Sequence, residues 1–247
     1  WIDEIGLVIS DEIHLIGDEN RGPTLEMILT QLKLLDSKPQ IVGLSATITN
    51  SDEIANWLDC TLVKNDWRPV PLSEGVCDGG QVTMNDGTIF EVERTLRGTP
   101  IDLGVQSVMQ GGQSLVFAET RTRSKSLATK AADVISQLLE KNDLKELEKT
   151  SKKILSQNEH TEIVKTLATL VKKGVAFHHA GLNQNCREII EKEFRNGTIK
   201  LLSSTPTLAA GVNLPARRVV ISNINRYNAK IGRNMPISIL EYKQLCG

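Results

Sequence analysis

The chain has little of what marks several classes of protein. Its 247 residues include four cysteines, and none of them has C-x-x-C spacing or a histidine at zinc-finger spacing, which argues against a disulfide framework or structural zinc. No apolar run approaches the roughly 18 residues that a membrane-spanning helix needs. The opening segment, Trp1-Ile2-Asp3-Glu4, is too acidic for a signal peptide. We therefore expect a cytoplasmic protein with no membrane partner.

A strong net charge is also missing. The 29 Lys and Arg residues nearly balance the 30 Asp and Glu residues, so the formal net charge is −1. An anionic partner such as a nucleic acid must therefore be bound by a local patch and not by a global field. None of the four histidines lies in a metal-binding pattern such as H-E-x-x-H.

The hydrophobic pattern predicts the α/β class. Short β-branched runs alternate with amphipathic stretches of helical period, which is typical of parallel sheets flanked by helices. Apart from Ser114 and Lys200, the predicted strands are continuously apolar, so we expect them to be buried on both faces. They are Leu7–Ile9, Ile41–Leu44, Ser114–Ala118, Val175–Phe177, Ile199–Leu202 and Val219–Ile221.

A boundary between two lobes is predicted at Trp67–Pro71, because two prolines two residues apart preclude a helix. The lobes would be residues 1–68 and 69–247. The turn residues Gly79-Gly80 and Asn85–Gly87 predict a small antiparallel sheet at the start of the second lobe. The Lys- and Glu-rich stretch Glu140–Gln157 is interpreted as a solvated helical insertion.

Two adjacent carboxylates, Asp11 and Glu12, follow the first predicted strand. Open α/β sheets bind ligands at this end of their strands. In phosphoryl transfer one carboxylate holds the magnesium that bridges the β- and γ-phosphates, and a second deprotonates the attacking water. Taken alone, the pair also fits two acids that merely begin a loop. A second polar cluster, Ser45-Ala46-Thr47, follows the next strand, and alone it fits the start of a helix.

The chain contains, in this order, a strand, D-E-I-H, a helix, a second strand and S-A-T. In this arrangement it resembles superfamily 2 helicases and translocases. Three further motifs of that family follow in the expected order. They are Phe117–Arg121, Ala176–Leu182 and Thr205–Arg217.

The resemblance implies two RecA-like lobes whose opening and closing is driven by Mg²⁺-ATP hydrolysis. Asp11 would hold the magnesium and Glu12 would act as the base, so both contact the nucleotide complex. His14, Ser45 and Thr47 would couple hydrolysis to lobe movement. Gly211 and Asn213 would lie by the nucleotide, with Asn213 linking it to the nucleic-acid track.

The later motifs predict contacts with nucleic-acid phosphates. Thr120 and Arg121 follow a strand and begin a helix, where amides, a hydroxyl and a guanidinium together bind phosphate; a plain helix cap with a surface arginine is the alternative. Gly181, after His179, permits close approach of a backbone. The hydroxyls of Thr205 and Thr207 are suited to another phosphate. His178 is expected to pack in the core.

The run Gly211–Arg217 and the terminal Glu241–Gln244 resemble the Ski-like branch, and within it the archaeal 3′-to-5′ DNA repair helicases and the helicase portion of polymerase theta. This implies a monomeric enzyme that acts on single-stranded and forked DNA, associated with the nucleoid in an archaeon or nuclear in a eukaryote. It also implies a strand-separating hairpin at Val220–Leu240, with residues 225–228 near its tip and a second strand toward Ile237–Leu240. Arg226 and Tyr227 there suit stacking on an unpaired base, although an ordinary surface hairpin fits too.

The chain departs from the family at both ends. No glycine is followed by lysine, so the phosphate-binding loop G-x-x-x-x-G-K-[ST] is missing, and the arginine-finger motif is cut after Gln244. We therefore expect a helicase fragment, with part of lobe one and most of lobe two, that does not turn over ATP alone. An RNA helicase of the same branch and a non-catalytic nucleic-acid clamp remain as alternatives.

Overall fold

The computed structural model describes residues 1–18, 21–45, 48, 50–65, 67, 70–93, 99–208, 214–228 and 231–246. The chain divides into two compact units, Trp1–Pro71 and Leu72–Gly247. The parallel sheets flanked by helices confirm the predicted α/β class. Within the described ranges, no helix is both long enough and apolar enough to cross a bilayer.

Unit 1 is built on two parallel strands, β1 (Leu7–Ser10) and β2 (Gln40–Gly43), with Leu7 opposite Gln40 and Ser10 opposite Gly43. Between them lie a 3-10 turn, Ile13–Gly17, and helix α1 (Gly22–Lys33). Helix α2 (Ser51–Leu58) follows β2, and a further 3-10 turn, Ile2–Glu4, precedes β1. The parallel pairing sets the carboxyl ends of β1 and β2 side by side.

The core of unit 1 is small. Its buried apolar cluster among the described residues is Ile13, Leu29 and Leu58. The prediction that both faces of these strands are buried is wrong for unit 1, because Leu7 is 52% exposed and Ile9 is 61% exposed. Apolar composition showed that the strand could be buried, but burial requires a covering layer, which the described residues do not provide on that face.

Unit 2 begins with the expected antiparallel sheet of three strands, β3 (Gly75–Asp78), β4 (Gln81–Met84) and β5 (Ile89–Glu91). The β3–β4 turn is Gly79-Gly80, where both glycines have positive φ, at 58° and 94°. Side chains larger than hydrogen rarely adopt that conformation, so the turn needs glycine.

The main sheet of unit 2 is parallel and four-stranded, and its strands lie in the order β7 (Val175–His178), β8 (Leu201–Ser204), β6 (Ser114–Phe117) and β9 (Arg218–Ile221). Its strands β6–β8 are buried at every position, as predicted for this part of the chain. The registers align the carboxyl ends of the strands along one edge, with Phe117 opposite Ser204 and His178 also opposite Ser204. The elements in chain order are α3 (Thr99–Met109), β6 (Ser114–Phe117), α4 (Arg121–Gln137), α5 (Lys141–Ser156), α6 (Glu162–Lys172), β7 (Val175–His178), α7 (Gln184–Arg195), β8 (Leu201–Ser204), a 3-10 turn (Pro206–Leu208) and β9 (Arg218–Ile221).

Helix α5 is not the solvated insertion that its composition predicts. Leu147 and Ile154 lie on its buried face, within the main core, while Leu144 is 46% exposed. The Ser151 hydroxyl donates to the carbonyl of Ala168 on α6, at 2.9 Å. A lysine-rich helix can therefore be part of the core when its apolar residues share one face.

The chain after β9 forms an antiparallel hairpin of β10 (Asn225–Asn228) and β11 (Arg233–Pro236), followed by helix α8 (Ile239–Cys246). The predicted hairpin exists, and residues 225–228 form the strand that leads into its turn. One detail of the prediction was wrong, because Ile239-Leu240 begin a helix and not a second strand. The reason is the cap: the Ser238 hydroxyl accepts the Glu241 N–H at 3.0 Å, and the spacing S-x-x-E is a helix-start signal.

Candidate active site and nucleic-acid edge

The carboxyl ends of β1 and β2 are joined by backbone hydrogen bonds. The Leu44 N–H donates to the carbonyl of Ser10, and the Ile13 N–H donates to the carbonyl of Leu44, each at 2.9 Å. These two bonds bring the segment after β1 against the segment after β2. The two polar clusters predicted from the sequence therefore meet at this edge.

Glu12 has a left-handed backbone conformation, with φ 52° and ψ 42°. This conformation is uncommon for a residue with a side chain, and it costs roughly 1 kcal/mol. A carboxylate oxygen of Asp11 accepts the Glu12 N–H at 2.8 Å and so stabilises the turn. The turn directs the chain into the 3-10 segment that carries His14.

Glu12, His14 and Ser45 form one chain of contacts. The Glu12 carboxylate lies 3.3 Å from Nε2 of His14, and Nδ1 of His14 lies 3.2 Å from the Ser45 hydroxyl. The His14 side chain is only 1% exposed, whereas that of Glu12 is 47% exposed. A buried ring thus connects an accessible carboxylate on one strand end with a hydroxyl on the other. Thr47, the remaining member of the predicted set, lies outside the described residues.

A magnesium ion fits the chemistry of Asp11 in one respect. Magnesium bound with a nucleotide takes one or two carboxylates, with phosphates and waters as its other ligands. Asp11 is exposed, and the oxygen that accepts the Glu12 N–H is one of the two in its carboxylate. No group of three or more His, Cys, Asp or Glu side chains that could hold a metal by itself occurs in the described part of the chain.

In unit 2, Thr120 caps α4. Its hydroxyl accepts the N–H of Arg123 at 3.1 Å. Arg121 is exposed at the first position of the helix, and α4 has no acidic residue in its first turn. The Thr120 hydroxyl keeps its proton for a further acceptor, so capping and phosphate binding are compatible at this position.

His179 and Gly181 form one turn after β7. Nδ1 of His179 accepts the Gly181 N–H at 3.1 Å, and the ring stacks on Phe177 with centroids 5.4 Å apart. His179 is 3% exposed, while Gly181 is exposed. Burial, together with the charge of Arg121, lowers the pKa of His179. The structure therefore places the His179 side chain behind the turn and Gly181 on its surface.

Gly181 also lies close to Arg121. A Cβ added at Gly181 would lie 3.0 Å from Nδ1 of His179 and 3.3 Å from a terminal nitrogen of Arg121. The two motifs, one after β6 and one after β7, are thus adjacent at the sheet edge.

His178 is buried, as expected. Its Nε2 lies 2.8 Å from a carboxylate oxygen of Glu191 on α7. Burial lowers the pKa of His178, the Glu191 carboxylate opposes this effect, and the charge of Arg187 adds to it. Glu191 was not identified from the sequence, because no sequence pattern links it to His178. The two side chains meet only because α7 packs against β7.

The next strand end carries Thr205 and Thr207. Their hydroxyls are 2.9 Å apart, and the Thr205 N–H donates to the carbonyl of His178 at 3.1 Å. Thr205 is nearly buried and Thr207 is exposed. The structure therefore brings Thr205 to the His179 turn. Gly211 and Asn213 lie outside the described residues.

On the hairpin, the two predicted base contacts differ. Tyr227 is 70% exposed. Arg226 instead faces the protein: its guanidinium donates to the carbonyl of Asn223 at 2.7 Å and lies 3.5 Å from the Glu241 carboxylate. Tyr227 is the freer of the two for stacking on a base.

Comparison with protein-family models matches two segments. Residues 2–54 match the model described as DEAD/DEAH box helicase, and residues 132–247 match the helicase conserved C-terminal domain. The first segment contains the Glu12, His14 and Ser45 contacts. The second contains the His179 turn, both threonines and the hairpin.

Comparison with curated proteins finds relatives along the whole chain. The chain is 44% identical over 252 aligned residues to the ATP-dependent DNA helicase Hel308 of Caldivirga maquilingensis. It is 42% identical to the proteins of the same name from Methanocella arvoryzae and Pyrobaculum calidifontis. Each alignment covers 100% of this chain and 32–34% of the relative, so the chain spans about a third of the length of the curated relatives it matches. The chain is therefore a homologue, along its whole length, of part of the Hel308 ATP-dependent DNA helicases, which confirms the superfamily 2 DNA helicase resemblance of its motifs.

Proposed function

We propose that the protein carrying this chain is an ATP-dependent DNA helicase, in which unit 1 supplies groups for ATP hydrolysis and unit 2 supplies groups that hold single-stranded DNA. The observation that carries the proposal is the contact chain Glu12–His14–Ser45 beside Asp11, at the joined ends of two parallel strands. The names of the relatives, all ATP-dependent DNA helicases, support it.

Each group at this edge of unit 1 has a distinct chemical task. Asp11 would hold the magnesium of the nucleotide, which would supply neutralising charge for the phosphates. Glu12, whose carboxylate is accessible, accepts a proton from the attacking water. His14 holds the Glu12 carboxylate through Nε2 and contacts the Ser45 hydroxyl through Nδ1, so a change at Glu12 during hydrolysis alters the position of Ser45. Ser45 and Thr47 then couple hydrolysis to movement of the rest of the protein. Gly211 and Asn213 are proposed near the nucleotide.

In unit 2 the ends of β6, β7 and β8 present polar groups along one edge. The exposed Arg121 and the Thr120 hydroxyl, the Gly181 surface and the Thr207 hydroxyl are suited to successive phosphates of one strand. His179 and Thr205 fix the shape of this edge, because Nδ1 of His179 accepts the Gly181 N–H and the Thr205 N–H donates to the carbonyl of His178. Tyr227 stacks on a base, and Arg226 acts through its position in the hairpin.

DNA is preferred to RNA because the matched relatives are named DNA helicases. We further propose 3′-to-5′ movement on single-stranded and forked DNA, a role in repair or replication restart, a monomeric protein and a location with the DNA. These finer points rest on the motif resemblance. An RNA helicase and a non-catalytic clamp are the outcomes that the experiment below must distinguish.

The test uses the full gene product, because the phosphate-binding loop does not occur in this chain. We expect ATP hydrolysis that single-stranded DNA stimulates, and unwinding of a duplex with a 3′ tail but not of one with a 5′ tail. Asp11→Asn should raise the magnesium concentration needed for hydrolysis, whereas Asp3→Asn, an exposed aspartate outside the site, should not. Equal stimulation and unwinding with matched RNA would favour the RNA helicase. Tight strand binding with no hydrolysis in the unaltered protein would establish the clamp.

A further inference from the structure

The β10–β11 hairpin has little support of its own. It is a two-stranded sheet, and an isolated hairpin of two strands is marginally stable in water. Ile224, Tyr227 and Ile231 are each more than half exposed. Its fixed position must therefore come from contacts with the rest of unit 2.

Helix α8 provides such contacts on the hairpin side. Nε of Arg226 lies 3.5 Å from the Glu241 carboxylate, and the two side chains are 21% and 33% exposed. Nε and one terminal nitrogen of Arg226 are buried and have no hydrogen-bond partner in the part of the chain that the structure describes. The Glu241 carboxylate is therefore the compensating charge for a partly buried guanidinium, and its removal would leave that charge uncompensated.

The same helix is attached to the small antiparallel sheet. The Tyr242 hydroxyl donates to the carboxylate of Glu74 at 2.9 Å, directly before β3. Burial and this bond raise the pKa of Tyr242, so the hydroxyl stays protonated and donates throughout the neutral range. Leu245, one turn further on, is 3% exposed within the main core.

We propose that Arg226, Glu241, Tyr242 and Glu74 form a brace, here called the α8 brace, that holds the β10–β11 hairpin in a fixed position on unit 2. The proposal rests on the proposed function in one respect: a hairpin that separates strands must be rigidly connected to the unit that moves on the DNA. Ser222 is held to the main sheet, because its N–H donates to the carbonyl of Phe117 at 2.9 Å. Without the brace, bending of the chain between Ser222 and β10 would absorb movement of unit 2. The four side chains are thus positioning residues, and they need not touch DNA.

Hydrogen–deuterium exchange of the chain tests the brace without reference to activity. In Glu241→Ala and in Tyr242→Phe, the amides of β10 and β11 should exchange about tenfold faster, while those of β6, β7 and β8 keep their rates. Glu146→Ala is the matched control, since it removes an exposed ion pair with Lys149 at 2.7 Å on α5. It should leave the hairpin unchanged. Equal exchange in the hairpin of both brace variants and the control would overturn the proposal, and so would acceleration spread evenly over the main sheet.

A double-mutant cycle tests whether Tyr242 acts through Glu74. Glu74→Ala should reproduce the exchange of Tyr242→Phe, and the double variant should be no faster than either single variant, because each change removes the same bond. Fully additive effects would show that Tyr242 does not act through Glu74.

In the full gene product, the brace variants should unwind about fivefold fewer base pairs per ATP hydrolysed, with the DNA-stimulated hydrolysis rate kept. A purely structural defect would lower both quantities together. If the unaltered protein does not unwind DNA, the proposed function fails while the exchange result still decides the brace. If it unwinds normally and the variants keep the same ratio, the brace plays no part in unwinding.

Discussion

Units 1 and 2 contain the same kind of element but differ in how far their strands are covered. In unit 2 the strands β6, β7 and β8 are buried at every residue. In unit 1, β1 has alternating exposed and half-buried residues, and no residue of β1 or β2 is fully buried. The polar groups proposed for hydrolysis thus lie on the thinly covered sheet, and those proposed for DNA lie on the thickly covered one. The location of a site at a strand end does not require a deep core beneath it; it requires only that the two strand ends are joined.

The largest effect expected separates the chemistry of the two units. Glu12→Gln should lower the ATP turnover of the full gene product by about 10²–10⁴-fold, because the amide cannot accept the proton of water. Its affinity for single-stranded DNA, measured by fluorescence anisotropy, should stay the same. Arg121→Ala should have the opposite pattern: ATP turnover should be kept, while DNA binding becomes weaker and its salt dependence shallower. Glu4→Gln, an exposed acid of unit 1, is the control, and a loss of turnover in that variant would count against the assignment of Glu12.

A second prediction concerns the depth of the two cores. Leu167→Ala removes a fully buried side chain of α6 and should lower the free energy of unfolding of unit 2 by about 2–5 kcal/mol. Ile9→Ala, on the exposed face of β1, should change stability by less than about 0.5 kcal/mol. Urea denaturation followed by circular dichroism measures both. A cost at Ile9 that matched the cost at Leu167 would mean that the exposed face of β1 is covered in solution.

A third prediction sharpens the account of the unit 2 edge. Gly181→Ala places a methyl group against His179 and Arg121, where real Cβ contacts are rarely so close, so either the ring or the guanidinium must move. Single-strand affinity should fall about tenfold, as expected for the loss of one charge-assisted phosphate contact. Gly6→Ala is the matched control because nothing lies within 4 Å of the added atom. Unchanged affinity in Gly181→Ala would remove this turn from the binding edge.

The smallest effect expected is on pH dependence, and it belongs to unit 2. His178 and His179 both have pKa values lowered from 6.5, mainly by burial. A histidine with a lowered folded-state pKa binds protons more readily when unfolded, so its contribution to stability is present above pH 6.5 and is lost as the pH falls through that value toward the folded pKa. Thermal unfolding of the chain should therefore show unit 2 destabilised below pH 6.5 and unaffected between pH 7.5 and 8.5. His178→Gln should flatten this profile; a profile as steep as that of the unaltered chain would assign the effect to other groups.

Much of the fold was predictable because its signals are local. Continuous apolar runs predicted the six strands of the two parallel sheets, and the strand at Ile199–Leu202 was displaced by only two residues, to Leu201–Ser204. The turn residues Gly79-Gly80 and Asn85–Gly87 predicted the small sheet. Helix α8 (Ile239–Cys246) was missed, although its capping signal at Ser238–Glu241 is also local, because the hairpin interpretation extended over its start.

The sites were predictable in their residue types but not in their contacts. Placing Asp11, Glu12, His14 and Ser45 at one edge followed from the carboxyl ends of neighbouring parallel strands. The left-handed turn at Glu12 had no sequence signal, since glutamate is not a residue that favours it. Similarly, Arg226 next to Tyr227 suggested two base contacts, whereas the packing of α8 engages the arginine with Glu241.

The amino-acid sequence by itself determined the alternation of strands and helices, the polar groups at the strand ends and the order of the helicase motifs. These depend on residue types at short spacing, and short spacing sets backbone geometry and hydrophobic period. Only the tertiary structure decided which apolar strands are covered, that His179 is buried behind its turn while Gly181 is exposed, and that α8 contacts both the hairpin and the small sheet. Those features depend on side chains far apart in the chain, such as Glu74 and Tyr242, which meet only because separate elements pack together.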